Sequence, residues 1–363
     1  MSRALYIALW ILLPAAADAA MPDSLADRDT TAGAAIVEPF PILSYDTDAG
    51  FGYGGKVVAR NQLGLRESFD LTLFNSSRGE RWYRFAFSLP DAELRQGSPY
   101  PAAVDVVLDY DKWISNSFFG LGDGSPFSAR EFYTKEPLDL SAAVSRGFSS
   151  VLVGQAGLRF RAVRNSGFEE VSRLRALPPQ TNGSRIDYLS VFLSVRHDTR
   201  NSVIDPSKGT VLQGDVERTV GGDLSFTRWG AWLQGYTRLP LADIVAAARL
   251  GFVTAIGDSL PVQVLPSVGG GNTVRGVPLD RFLDRAGAVA NVELRIPLLW
   301  RFRGVLGLDA GRVAGRLAAM SLARWSVNPV VGLRFHMETF VVRLDVGLGA
   351  QTTGFYLNFG QLF

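Results

Sequence analysis

The feature that most constrains the fold is a two-residue alternation of apolar and polar side chains, which recurs over most of the chain. From Ala288 to Pro297, apolar residues at every second position oppose polar residues that include Glu293 and Arg295. Successive side chains of a β-strand point to opposite faces, whereas a helical period would mix the two sets. The stretches 187–197 and 340–348 repeat the pattern. The chain is therefore predicted to be all-β, with one apolar and one charged face on each strand.

Two architectures have strands of this kind. In a soluble β-sandwich the apolar face is the core, and in a membrane barrel it meets lipid while the charges face an aqueous lumen. Most predicted segments reach the about 9 to 11 residues that a tilted strand needs to cross a bilayer, and their number is even, as in single-chain bacterial barrels. The sequence thus predicts a sixteen-stranded antiparallel transmembrane β-barrel. The predicted strands are 37–45, 51–60, 67–76, 80–89, 102–113, 128–146, 150–164, 185–198, 209–220, 223–239, 242–256, 286–297, 299–313, 325–336, 338–349 and 353–363.

The lengths of the connections give the barrel an orientation. If the amino terminus is periplasmic, tight junctions such as Pro297 to Leu299 and His336 to Glu338 lie inside. Short periplasmic turns and long outer loops are typical of such barrels, although Pro90 to Pro101 is a long inner connection. The connections predicted to lie outside include the long ones at 114–127, 165–184 and 257–285.

Residues 1–19 have the pattern of a secretory signal peptide, with a basic head, an apolar run and the small cleavage site Ala-Asp-Ala at 17–19. The run contains Pro14 and is shorter than the roughly 20 residues of a spanning helix, which disfavours an uncleaved membrane anchor. Residues 20–36 are mostly small and polar, and they are predicted to be a disordered periplasmic lead-in. The barrel domain then occupies residues 37–363.

Composition argues against several function classes. The 37 basic and 35 acidic residues are scattered and give a net charge of only +2, so no nucleic-acid partner is predicted. Without cysteine, thiolate metal sites and cysteine nucleophiles are excluded. The two histidines, His197 and His336, lie in no recognisable nucleophile motif. Asp46 to Gly50 lacks the later ligands of a calcium loop and is predicted to be a tight turn. We therefore expect no enzymatic activity, metal or cofactor.

One Gly-rich segment carries a family resemblance. Within Gly269 to Phe282 (GGGNTVRGVPLDRF), the part from Gly269 to Val277 resembles the VRG(F/Y) loop of the bacterial surface antigen superfamily, to which the barrel-assembly subunit BamA and the translocation subunit TamA belong. In that family this loop is the sixth outer loop, between strands eleven and twelve, where the alternation also places it. The other matching segments are similar to the family's NxExRxP strand at Asn291 to Pro297, its DxG strand at Asp309 to Gly311, and its DTRxN...P..G turn, here Asp198, Thr199, Arg200, Asn201, Pro206 and Gly209.

The resemblance implies that the loop folds back into the lumen. By alternation, Glu293 and Asp309 face the lumen on adjacent strands, so Arg275 would form charge-assisted hydrogen bonds with one or both carboxylates. Without the flanking motifs, the same segment would equally fit a flexible surface loop. The glycines that would let the backbone enter and turn sharply are Gly269, Gly270, Gly271 and Gly276.

The last predicted strand ends FYLNFGQLF, as outer-membrane barrels typically end. Alternation predicts an apolar outer face and an inner face of Tyr356, Asn358 and Gly360. The residues predicted to face outward are Phe355, Leu357, Phe359 and Phe363. One interpretation is a last barrel strand with an aromatic girdle. The resemblance implies instead an assembly signal, with a weak seam to the first strand. The residues of this predicted assembly signal are Phe355, Leu357, Phe359, Gly360 and Phe363.

The family implies a function in inserting proteins into the outer membrane of a Gram-negative bacterium or translocating them across it. The expected partners are the outer-membrane bilayer, the barrel-assembly machinery for the protein's own insertion, unfolded clients and a separately encoded periplasmic partner. That last partner is expected because BamA and TamA carry periplasmic domains before the barrel, and this sequence has no room for one there. The alternative is a plugged pore for solutes or lipid, or a structural surface antigen.

Overall fold

The computed structural model describes residues 34–240, 242–321, 323–337 and 340–363. The predicted signal peptide and most of the predicted lead-in lie outside these residues. Sixteen antiparallel strands close into one barrel, which confirms the predicted fold class. None of the helices in the described ranges is long and apolar enough to span a membrane.

Each wall strand pairs with its sequence neighbours, and the first strand also pairs with the last. The wall strands are β1 (Ile36–Asp46), β2 (Gly50–Arg60), β3 (Ser68–Ser76), β4 (Arg81–Leu89), β5 (Tyr100–Phe118), β7 (Pro137–Gly147), β8 (Leu152–Val163), β9 (Ile186–Asp198), β10 (Gly209–Gly222), β11 (Phe226–Arg238), β12 (Val245–Gly257), β15 (Ala286–Pro297), β16 (Phe302–Ala314), β17 (Ser326–His336), β18 (Val341–Leu348) and β19 (Thr353–Phe359).

The remaining elements lie in the connections. β6 (Glu131–Lys135) pairs with the far end of β5, while β13 (Ser267–Val268) pairs with β14 (Phe282–Leu283) in the Gly-rich loop. The helices are α1 (Arg173–Ala176), α2 (Pro179–Asn182) and the short 3-10 helices Phe127–Ala129 and Leu317–Ala319.

The two faces of the wall follow the alternation. On β9, Leu193 and Val195 are exposed on the outer face, whereas Ser190 and Arg196 are buried on the inner face. The same division holds on β16 and β18, because side chains of a strand point alternately to either side. Inner-face charges are paired across strands, as in Arg159–Glu217 at 2.7 Å and Arg84–Asp109 at 3.4 Å. The barrel therefore has an apolar outer band and a polar, ion-paired interior.

Several strands begin two or three residues later than predicted, and three predictions were wrong in more than this. The strand predicted at 128–146 is interrupted between β6 and β7 at Glu136, whose carboxylate accepts hydrogen bonds from Tyr110 and Lys112. β5 continues five residues beyond the predicted end at 113, because β6 pairs with this extension. β19 ends at Phe359 instead of 363, because Gly360 (φ 81°) turns the chain away from the wall. Residues 47–49 form the predicted tight turn between β1 and β2.

Candidate functional site

The structure brings Arg275 together with both predicted carboxylates. The Arg275 side chain is 0% exposed, and its Nε and Nη2 donate to the two oxygens of Asp309 at 2.7 and 2.8 Å. Its Nη1 donates to Glu293 at 2.9 Å and also to Asp345 at 2.7 Å. Burial alone would lower the pKa of the Arg275 guanidinium, but the carboxylates outweigh it and raise the pKa well above its usual value. We call Arg275, these three carboxylates and Arg334, which pairs with two of them, the Arg275 cluster.

Asp345 is a partner that the sequence analysis missed. It lies on β18, two strands from β16, and its alternation had already placed it on the polar face. What the sequence lacked was any signal of how far the loop reaches across the barrel. Arg334 on β17 joins the same cluster, with Nη1 2.6 Å from Asp345 and Nη2 3.2 Å from Glu293. The cluster therefore connects the loop to four consecutive strands, β15 to β18.

Close backbone packing holds the loop beside these strands. Gly276 has φ 86°, and a Cβ placed on it would lie 2.6 Å from the carbonyl carbon of Gly347 on β18. A larger residue would meet both a strained backbone and a steric overlap. The Gly276 N–H donates to the Tyr356 hydroxyl of β19 at 3.1 Å, and the Thr352 hydroxyl donates to the Gly276 carbonyl at 2.6 Å.

The predicted loop glycines sit at other points of close approach. A Cβ on Gly269 would lie 2.0 Å from the Pro278 carbonyl oxygen, and one on Gly271 would lie 2.6 Å from the Tyr356 ring. Gly270 has φ 85° and donates its N–H to the Val277 carbonyl at 2.7 Å. These contacts close the loop on itself and on the last strand.

Apolar packing and a contact with the first turn complete the loop's surroundings. Three loop valines pack against inner-face residues that include Trp232 and Val289. The Leu279 N–H donates to the Asp48 carboxylate, in the turn between β1 and β2, at 2.9 Å. The loop therefore contacts the first hairpin and the last strand of the barrel as well as the middle of the wall. The loop valines are Val268, Val274 and Val277.

The predicted turn motif forms the compact connection between β9 and β10. The Arg200 guanidinium pairs with Asp198 at 2.8 Å, and the Asn201 side-chain oxygen accepts from the N–H groups of Ser207 and Lys208 at 3.0 Å each. The Thr199 N–H donates to the Thr210 carbonyl at 2.8 Å. These residues hold the turn in one conformation. Of the other motif positions, the Pro206 side chain is buried, and Gly209 (φ 108°) leaves no room for a Cβ beside the Thr199 carbonyl oxygen, 2.3 Å away.

The turn also contacts the carboxyl-terminal segment, which the sequence analysis did not foresee. Asp205, next to the motif proline, accepts from Gln361 Nε2 at 3.0 Å and from Arg303 Nη1 at 3.0 Å. The His336 Nδ1 lies 3.3 Å from the same carboxylate. The β9–β10 turn is thus connected to the last residues of the chain and to β16 and β17.

The predicted place of Phe363 on the outer face was wrong. Its side chain is 7% exposed, and its ring lies 6.3 Å from the Tyr236 ring. The guanidinium carbons of Arg249 and Arg295 lie 5.2 and 5.5 Å from the Phe363 ring centroid. Because Gly360 turns the chain inward, residues 360–363 follow the inner face instead of extending β19. Phe355 and Phe359 keep the predicted outward orientation and are exposed.

Comparisons with known proteins agree with this geometry. Residues 50–363 match the Omp85 superfamily domain. No match to a curated protein was found. BamA from Haemophilus ducreyi lacking POTRA domains 1-3 has a similar structure, with TM-score 0.66 and 14% sequence identity over 90% of this chain and 70% of that one.

Two further solved structures have the same barrel. CdiB from Acinetobacter baumannii is 18% identical with TM-score 0.62, over 90% of this chain and 60% of that one. CdiB from Escherichia coli is 14% identical with TM-score 0.62, over 90% and 67%. Identities this low show the fold alone, whereas the family match covers most of the sequence. The chain belongs to the Omp85 superfamily, as its loop and strand motifs predicted.

Proposed function

We propose that this barrel takes part in inserting proteins into the outer membrane of a Gram-negative bacterium or translocating them across it. The observation that carries the proposal is the weak seam between β1 and β19. Besides hydrogen bonds between Thr47 and Phe355, the two strands share only the residue pairs Tyr45↔Leu357 and Asp46↔Tyr356, whereas every other pair of neighbouring wall strands shares seven to thirteen. A client strand would pair with the edge that this seam exposes.

The pairing across the seam is confined to one end of β1. Both residue pairs lie beside the turn at 47–49, and the rest of β1 has no described partner on its β19 side. Pro39 and Pro41 in this part of β1 lack an N–H group. Beyond Phe359 the last residues turn toward the lumen, so nothing described extends β19 alongside the first part of β1. Apart from the two N–H groups that the prolines lack, the backbone groups of this edge are therefore available to an incoming extended chain.

The position of the loop favours sideways transfer of a polypeptide through the seam rather than passage through an open pore. In our proposal, the segment from Gly269 to Phe282 fills the lumen, and the Arg275 cluster holds it there. A filled lumen leaves the seam as the route for a polypeptide, without catalysis or a cofactor. The proposed partners are the bilayer, unfolded clients, a separately encoded periplasmic protein and the barrel-assembly machinery that inserts this chain.

A disulfide across the seam tests the proposal. The chain has no cysteine, so Tyr45→Cys with Leu357→Cys introduces a single possible disulfide. The matched control is Leu43→Cys with Tyr53→Cys, an equivalent pair on β1 and β2, which does not cross the seam. Directly opposed residues of antiparallel strands have Cβ atoms about 4.5 to 5.5 Å apart, close enough for a disulfide after a small shift.

The oxidised seam pair should lower the amounts of particular outer-membrane or exported proteins in cells that depend on this copy. Reduction should restore them, and the control pair should leave them unchanged. Normal protein levels with a locked seam would overturn the proposal. Normal levels together with altered solute uptake would identify the protein as a pore.

A further inference from the structure

A cavity of about 370 Å³ opens on the same side of the barrel as the Gly-rich loop. Its walls come from the Gly-rich loop and from the connections after β5, β16 and β18, so it is formed where four separate parts of the chain meet. Its size falls within the roughly 300 to 1,000 Å³ of small-molecule sites. We call it the Arg281 cavity. The residues that carry charge or an aromatic ring in its lining are Asp123, Phe127, Arg281, Phe282, Arg312, Arg324 and Trp325.

Arg281 is a buried cation without a paired carboxylate. Its side chain is 2% exposed, and its guanidinium donates to the Ser125 hydroxyl and carbonyl oxygens at 2.9 and 2.7 Å and to the Gln351 side-chain oxygen at 3.2 Å. All three acceptors are neutral. No carboxylate in the described part of the chain lies within 4.0 Å of it, in contrast to Arg275 with its three carboxylates.

The electrostatics of the two arginines differ accordingly. Burial lowers the pKa of Arg281, and no neighbouring acid reverses this effect as the carboxylates do for Arg275. Burying a charge without a counterion is costly, so a cation in this position favours an anion beside it. The rings of Phe119, Phe127 and Phe282 lie 4.4 to 5.8 Å from the guanidinium carbon and stabilise the cation, but they supply no negative charge.

The rest of the cavity has the same sign of charge. Arg312 and Arg324 also line it, and Asp123, 3.4 Å from Arg312 Nε, is the only acidic residue in its described lining. Asp284 is not among the residues that line the cavity, and burial, followed by the charge of Asp123, raises its pKa. Three arginines against one lining carboxylate leave the cavity electropositive.

The aromatic residues point to a second chemical feature of a ligand. Phe127, Phe282 and Trp325 line the cavity together with the arginines. Apolar ring faces pack against the C–H faces of a sugar, whereas guanidinium groups form paired hydrogen bonds with phosphate oxygens. A bare inorganic anion would use only the arginines, and a neutral sugar only the rings.

We propose that the Arg281 cavity binds a phosphorylated sugar, with the phosphoryl group on Arg281 and Arg324 and the sugar against the aromatic residues. The phosphorylated sugar is either the headgroup of a membrane glycolipid or a free sugar phosphate. The site is independent of the β1–β19 seam, so it stands or falls separately from the proposed transport function. Because Gly276 to Phe282 forms one wall, an occupied cavity would also brace the loop that carries Arg275.

The experiment measures binding of glucose 6-phosphate to the purified full chain in detergent by isothermal titration calorimetry. Glucose and inorganic phosphate are the ligand controls. Arg281→Gln should weaken glucose 6-phosphate binding at least tenfold, and Arg324→Gln, at an exposed position that is not part of the packing, should weaken it severalfold. Arg175→Gln, at an exposed position of α1 outside the cavity, should leave binding unchanged.

Several results would overturn the proposal. These are no binding by the wild type, equal binding by wild type and Arg324→Gln, or equal affinities for glucose 6-phosphate and inorganic phosphate. Native mass spectrometry of protein extracted from membranes then distinguishes the sources. A phosphorylated glycolipid that is retained by the wild type and lost in Arg324→Gln identifies the headgroup, whereas binding of the soluble sugar without retained lipid identifies a free ligand.

Discussion

Replacing Arg275 with alanine should release the Gly-rich loop from the barrel wall. Two of its three carboxylates keep other cations after the change. Glu293 retains Arg295 at 3.1 Å and Arg334 at 3.2 Å, and Asp345 retains Arg334 at 2.6 Å. Asp309 loses its cation and keeps only neutral donors, the Asn291 side-chain amide at 2.7 Å and the backbone N–H of residue 275 at 3.0 Å.

The magnitude follows from this asymmetry. Removing one partner of a buried ion pair costs about 3 to 5 kcal/mol, because a charge is left without compensation. Here that penalty falls on Asp309 alone. Since about 1.4 kcal/mol corresponds to a tenfold change in an equilibrium constant, the population of released loop should rise by roughly 10²- to 10⁴-fold.

Limited proteolysis and single-channel conductance would detect the released loop. In Arg275→Ala, we expect cleavage between Gly269 and Phe282 at protease concentrations that leave the wild type intact, and a larger conductance in planar bilayers. Arg275→Lys keeps the charge but loses the planar fork that contacts both oxygens of Asp309, so it should give an intermediate effect.

A double variant separates the ion pair from general damage to the fold. Arg275→Ala combined with Asp309→Asn removes the unpaired charge, so its cleavage rate should fall below that of Arg275→Ala alone. Unchanged protease resistance and conductance in Arg275→Ala would refute the reasoning. They would mean that packing of the loop valines is sufficient to hold the segment in place.

The remaining predictions concern backbone packing, the chain end and pH. Gly276→Ala should increase conductance, while Gly64→Ala, at a similar φ of 75° but with open space around it, should not; equal effects would exclude close packing as the cause. Because Phe363 is buried, Phe363→Ala should lower the folded fraction even on refolding into detergent, where no assembly machinery is present. Phe359→Ala, at an exposed position, should not, and equal refolding yields would leave only a signal role for Phe363. Burial raises the pKa of Asp48 from 3.8 to about 7, so the folded state binds this proton more tightly and the group's contribution to stability falls as pH rises from about 4 to 7. Asp48→Asn should remove that part of the pH dependence of Tm, and an unchanged profile would contradict the assignment.

Local sequence patterns predicted the wall well because strand faces depend on neighbours two residues apart. The bounds predicted for β15, at 286–297, coincide with those of the structure, and Glu293 and Asp309 face the side that alternation predicted. Asp345 was missed because its contact with Arg275 spans seventy residues of sequence, and no local pattern encodes such a distance. The inward turn of Phe363 was missed for a related reason. Alternation carries through Gly360 without interruption, whereas the positive φ of that glycine ends the strand.

The loop's attachments have a mechanical consequence for the seam. On one side, Leu279 is held to Asp48 in the β1–β2 turn by a single described hydrogen bond. On the other side, Arg275 and Gly276 are held to β15, β16, β18 and β19 by several bonds that include buried ion pairs. If the two edges separate, the single bond should break first. The loop would then remain with the carboxyl-terminal strands, and the β1–β2 hairpin would be the part of the barrel that moves.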